Sequence, residues 1–119
     1  MLYKKHWSSN KIATKTQKWG NRMPDKLTEQ MKDFAVENMV KNIVVLRTML
    51  HLSQLELATL IGVGRQTLVA IETRKRKMTW STFLSLLFVF SQNKETNTLL
   101  EIFGIYSPEM KEIYSDINS

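Results

Sequence analysis

The stretch from Ser53 to Glu72 constrains this chain most, because it spells two short helices joined by one tight turn. Ser53 is placed as an N-cap and Glu56, three residues on, as its capping-box partner. Leu55, Leu57, Ala58 and Ile61 supply that helix with apolar surface, and Gly62 ends it with the backbone freedom a sharp turn needs. A next helix opens near Gly64 and runs to about Glu72, burying Leu68 and Ile71. Two short helices that cross steeply need a small residue where they approach, and Ala58 stands there. Val63 and Leu68 then plug the angle and Ile71 anchors the far end. Arg65, Gln66, Val69 and Ala70 are left pointing outward, on a face able to enter the major groove of a duplex.

The flanking sequence predicts more helices and no strands. Residues 1–24 mix Lys, Ser, Asn and Thr with isolated Tyr3, Trp7 and Trp19 and show no sustained apolar period, which reads as a flexible basic arm. Residues 25–119 read as one domain. Pro24 and Asp25 look like a helix start, with Leu27, Met31, Phe34 and Ala35 at helical spacing, followed by Met39, Ile43, Leu46 and Leu50. His51 falls where such a helix would close in a left-handed residue. After the basic loop Arg74–Lys77, helices are expected over about Thr79–Ser91, Thr96–Phe103 and from Ser107-Pro108-Glu109, where Ser suits the cap and Pro the first helical position. The expected fold is all-α, a compact bundle of five to six helices. Between Ser81 and Gln92 there is no charge, and apolar residues wrap most of the helix. An ordinary surface helix would show a polar face, so either the other helices or another subunit covers it.

Composition removes several function classes. There is no cysteine and there are only two histidines, so disulfides and the common metal sites are excluded and no cofactor is expected. No run approaches the length of a membrane span, and the N-terminus lacks the apolar stretch of a secretory signal, which points to a cytoplasmic protein. Neither His6 nor His51 has a catalytic motif beside it, and there is no glycine-rich phosphate loop, so an enzyme is not expected. The net charge of +6 is unevenly spread. Residues 1–24 hold six Lys and Arg and no acid, residues 47–80 carry a net +4, and residues 81–119 a net −3. That asymmetry favours a polyanionic partner.

Ser53, Gln54, Leu57, Ala58, Gly62, Val63, Thr67, Ile71 and Glu72 together resemble the Cro/repressor-type (Xre-like) helix-turn-helix regulators, over about residues 43–90. The resemblance implies a homodimer that binds double-stranded DNA on a two-fold operator, in association with the nucleoid. Arg65 and Gln66 would open the recognition helix, where Arg pairs with guanine and Gln with adenine; Val69 and Ala70 would meet thymine methyl groups. Gln54, Gly64 and Thr67 would lie against phosphates, as would the run Arg74, Lys75, Arg76 and Lys77. The resemblance also implies a structural ion pair between Arg47 and Glu72. The chain departs from the family pattern where Thr73-Arg74 replaces Asn-Gly, Met78 replaces a frequent Pro, and Gly64 replaces Ser.

The ends are similar to the DNA-binding domain of the phage lambda repressor: a Lys-rich segment over residues 1–22, a Leu27-Thr28 pair opening the first helix, and Ser107-Pro108 followed by Glu112-Ile113-Tyr114. By that resemblance the arm would embrace DNA and the last helix would help dimerisation. A repressor is the expected function, since occupancy of an operator suffices and no ligand-sensing domain is visible. The alternative is an antitoxin-like or phage-inhibitor-like protein that uses the same fold to bind a protein partner.

Overall fold

The computed structural model describes residues 27–116, so the basic arm expected over residues 1–24 lies outside the described residues. Among those described, the chain forms six helices and no strand: α1 (Glu29–Met49), α2 (Gln54–Ile61), α3 (Arg65–Glu72), α4 (Trp80–Ser91), α5 (Lys94–Ile102) and α6 (Pro108–Asp116). This is the expected all-α bundle. No single helix among them is long and apolar enough to cross a membrane.

The first helix begins later than the Pro24-Asp25 pair suggested. Thr28 is its N-cap, with the side-chain hydroxyl accepting from the Met31 amide, and Glu29 sits in the first turn. A hydroxyl that satisfies an otherwise unpaired N–H fixes the start more firmly than a proline upstream. Ala35, Met39, Ile43 and Leu46 follow at helical spacing and are buried, forming the spine of the core. Phe34 does not join them, contrary to the pattern read from sequence. It is 65 % exposed, one position off the buried stripe and beside Gly104.

α1 closes at Leu50, and His51 takes the left-handed conformation at φ 58°. The chain then bends by 111° into α2. The Ser53–Glu56 capping box is complete in both directions, and Gly62 closes α2 at φ 78°. Leu57 and Ala58 face the core, whereas Leu55 is exposed and adds nothing to it. Leu68 and Ile71 of α3 and the loop residue Met78 complete this side.

The remaining helices cover the other flank of α1. Phe83, Leu86 and Phe90 turn α4 inward, and Trp80 stacks on Phe83 with ring centroids 4.6 Å apart. α5 starts at Lys94, two residues before the expected Thr96, because the side chain of its N-cap Asn93 accepts from two backbone amides. Thr96 is instead fully buried, and its hydroxyl donates to the Phe90 carbonyl at 2.6 Å, satisfying an acceptor left open at the end of α4. Ser107 caps α6 with Pro108 in its first position.

Candidate nucleic-acid interface

α3 is amphipathic, with Leu68 and Ile71 locked into the core. Its opposite face is what the core leaves over. Arg65, Gln66, Val69 and Ala70, together with Thr73 and Lys75, line a shallow recess of about 210 Å³. Arg65 and Gln66 are exposed at the start of the helix, Thr67, Val69 and Ala70 are half-buried, and Gly64 is the exposed N-cap. The structure thus gathers the six sequence-derived residues from Gly64 to Ala70, bar Leu68 in the core, on or beside one helix.

A buried polar cluster holds this helix to α1. Glu72 lies at the end of α3 with its side chain 3 % exposed, and the Arg47 guanidinium donates to it through Nε at 2.9 Å and Nη2 at 3.2 Å. Arg47 Nη1 donates to the Leu52 carbonyl. Two-pronged contact fixes both position and angle, and removing one partner of such a buried pair typically costs about 3–5 kcal/mol.

Gln54 extends the cluster toward the exposed face. Its Nε2 donates to Glu72 Oε1 at 3.0 Å, while its Oε1 accepts from Arg65 Nη2 at 3.4 Å. A carboxylate only accepts, so Glu72 dictates which end of the Gln54 amide faces inward. The carbonyl end is thereby turned to Arg65. Gln54 was read from sequence as a phosphate contact; in the structure its side chain is engaged with two protein partners. Nothing in the sequence pattern marks the Gln54–Glu72 bond, since the two residues stand on different helices.

The loop after α3 is closed by backbone bonds from Arg74 to Ile71 O, and from Lys75 and Arg76 to Ala70 O. Arg74 adopts φ 63°, where the family pattern has glycine. Its guanidinium donates to both carboxylate oxygens of Glu37 on α1, at 3.0 and 2.9 Å. The bonds from Arg74 hold the Glu37 carboxyl below its ordinary value, and Glu37 in turn raises Arg74. Glu37 carried no sequence signal, because the pair spans 37 positions and sits on a solvated face. Lys75, Arg76 and Lys77 are exposed beside it.

Two steeply bent helices, a glycine turn and an outward third helix with a buried ion pair at its end are now in place. A family model described as helix-turn-helix matches residues 45–79. Residues 45–79 are a helix-turn-helix of the Cro/repressor type. No curated protein and no solved structure matches the chain at a significant level. The helix-turn-helix is a DNA-binding module of transcription regulators. Within it α3 holds the position of the second helix.

Proposed function

We propose that this protein is a sequence-specific transcriptional repressor that binds a two-fold operator as a homodimer, with α3 in the major groove. The observation that carries the reading is the outward face of α3. It offers two long polar side chains with fork geometry, Arg65 and Gln66, at the helix start, and two small apolar ones, Val69 and Ala70, farther along. Arg matches the O6 and N7 acceptors of guanine, Gln the N6 and N7 pattern of adenine, and a small apolar surface admits a thymine methyl. Such contacts are each worth about 1–3 kcal/mol of discrimination.

Phosphate contacts would come from Gly64 and Thr67 around the start of α3 and from Lys75, Arg76 and Lys77 in the loop. Arg74 belongs with them once it exchanges Glu37 for a phosphate. Gln54 would act chiefly by setting the orientation of Arg65, and the amide groups at the start of α2 would supply the phosphate contact there. Repression follows as the simplest output, because occupying an operator needs no further domain.

The test is selection of bound sequences from a random duplex pool at about physiological salt, using the wild type, Gln66→Ala and the Arg74→Ala/Lys75→Ala double variant. The wild type should yield a two-fold motif. Gln66→Ala should relax base preference at one position per half-site with an unchanged salt slope. The loop variant should weaken binding to every sequence and flatten the slope by roughly 0.9 per lost phosphate contact. An unchanged motif for Gln66→Ala would remove α3 from base reading, and binding without sequence preference would leave the protein-partner alternative.

A further inference from the structure

Among the described residues, α4 is only half covered. Phe83, Leu86 and Phe90 are buried, but Phe88 is 67 % and Leu84 38 % exposed, with Leu60 of α2 alongside at 59 %. Together with Ser81, Ser85, Trp80, Ile61 and Val89 these residues line an open groove of about 550 Å³ that contains no ionisable side chain.

The residues along this open side, three exposed and Ser85 half-buried, come in a telling order. Ser81, Leu84, Ser85 and Phe88 follow one another at helical spacing as small, large, small, large. When two copies of such a stripe are laid antiparallel about a two-fold axis between positions 84 and 85, Phe88 faces Ser81 of the other copy and Leu84 faces Ser85. Each large side chain then meets a small one, in both directions at once, as an interface between identical surfaces requires. A stripe selected for an unrelated partner has no need of this internal symmetry.

Polarity and charge agree. The Ser85 hydroxyl donates to the Ser81 carbonyl within the helix, so it can be covered without losing a partner. The chain as a whole carries a net charge of +6, and two copies meet least repulsion where neither presents a charge. Leu60, Leu84 and Phe88 leave open roughly 300 Å² of apolar surface, a fitting centre for the ~800 Å² that each partner contributes to a standard interface.

We infer that the exposed stripe of α4 packs antiparallel against the same stripe of a second copy, with Leu60 at its margin. This rests on the two-fold part of the proposed function and gives it a surface.

Sedimentation equilibrium of the full chain without DNA tests it, with far-ultraviolet circular dichroism checking the fold of each variant. The wild type should dimerise. Phe88→Ser opens a hole at both ends of the stripe, and Ser81→Phe sets two rings against each other, so each alone should weaken the dimer at least tenfold. Ser81→Phe combined with Phe88→Ser exchanges large for small and should restore association to within a few-fold. A wild type that stays monomeric overturns the inference, leaving the stripe to a foreign helix or to residues 1–26 of the same chain. A dimer indifferent to both single changes overturns it too, placing the contact on another face. Because no DNA is present, neither outcome bears on whether α3 reads bases.

Discussion

Four helix ends in this protein close in the same way with different residues. α2 and α5 end in Gly62 at φ 78° and Gly104 at φ 73°; α1 and α3 end in His51 at φ 58° and Arg74 at φ 63°. At each, the left-handed residue donates its amide to a carbonyl three back, and the next residue reaches five back: Val63 to Ala58, Ile105 to Leu100, Leu52 to Arg47 and Lys75 to Ala70. This is the Schellman closure, in which glycine has no Cβ to clash and any other residue is strained by about 1–2 kcal/mol. Gly62 sits at an end with open space around it and Gly104 where a side chain would collide with Asn38. Arg74 sits where its side chain has a second use, on the basic loop beside α3. Under the proposed function Arg74 would meet phosphate, and its strain would then fall at a working site, where strained residues tend to gather; His51 carries the same strain with no such role.

Gly104 is the helix end where a side chain should cost most. A Cβ there would lie 2.8 Å from Asn38 Nδ2, the atom that donates to the Gly104 carbonyl at 3.0 Å. Gly104→Ala should therefore combine backbone strain with loss of that hydrogen bond, lowering stability by about 2–4 kcal/mol in urea denaturation. Gly62→Ala isolates the backbone part, since no atom lies within 4 Å of the added Cβ. Its cost should stay near 1–2 kcal/mol. Equal losses for the two would mean that the Asn38 contact contributes nothing and the left-handed backbone everything.

The same contrast explains what the sequence revealed and what it hid. Ser53 with Glu56, Gly62, His51 and Ser107-Pro108 act through hydrogen bonds within a few residues, so their positions could be read directly. Local pattern placed the start of α1 at Pro24-Asp25, whereas the Leu27-Thr28 resemblance placed it at the true opening; the bond from Met31 to Thr28 decides between them. Phe34 and Leu55 were each apolar at plausible helical spacing, yet both are exposed. Spacing defines a face, but which neighbouring helix reaches that face depends on the packing of the whole bundle. The outward residues of α3 were legible for the opposite reason: once Leu68 and Ile71 are assigned to the core, Arg65, Gln66, Val69 and Ala70 have nowhere else to go. Glu37 and the Gln54–Glu72 bond were invisible because contacts between distant positions leave no periodic trace.

Arg74→Gly carries the smallest expected change in stability and separates backbone strain from side-chain use. Glycine removes the backbone strain at φ 63°, although it also gives the unfolded chain more freedom, so the net gain should be only a few tenths of a kcal/mol. Against it stands the loss of the ion pair with Glu37, whose two side chains are about half exposed and which salt and solvent therefore screen. The pH dependence separates these contributions. Arg74 lowers the Glu37 carboxyl in the folded protein, so the pair's contribution is fully present above the unfolded carboxyl's ordinary value and is lost as pH falls through the lower folded one. Wild type and Arg74→Gly should accordingly differ by a constant amount at neutral pH and converge on the bare backbone gain in acid. DNA binding should move the other way. Loss of the guanidinium should weaken binding to all sequences and flatten the salt slope by roughly 0.9, whereas Glu37→Gln, which frees Arg74, should strengthen it. If Arg74→Gly instead left affinity and slope untouched, the arginine would be no more than a strained helix end, and the link between strain and function at this loop would fail.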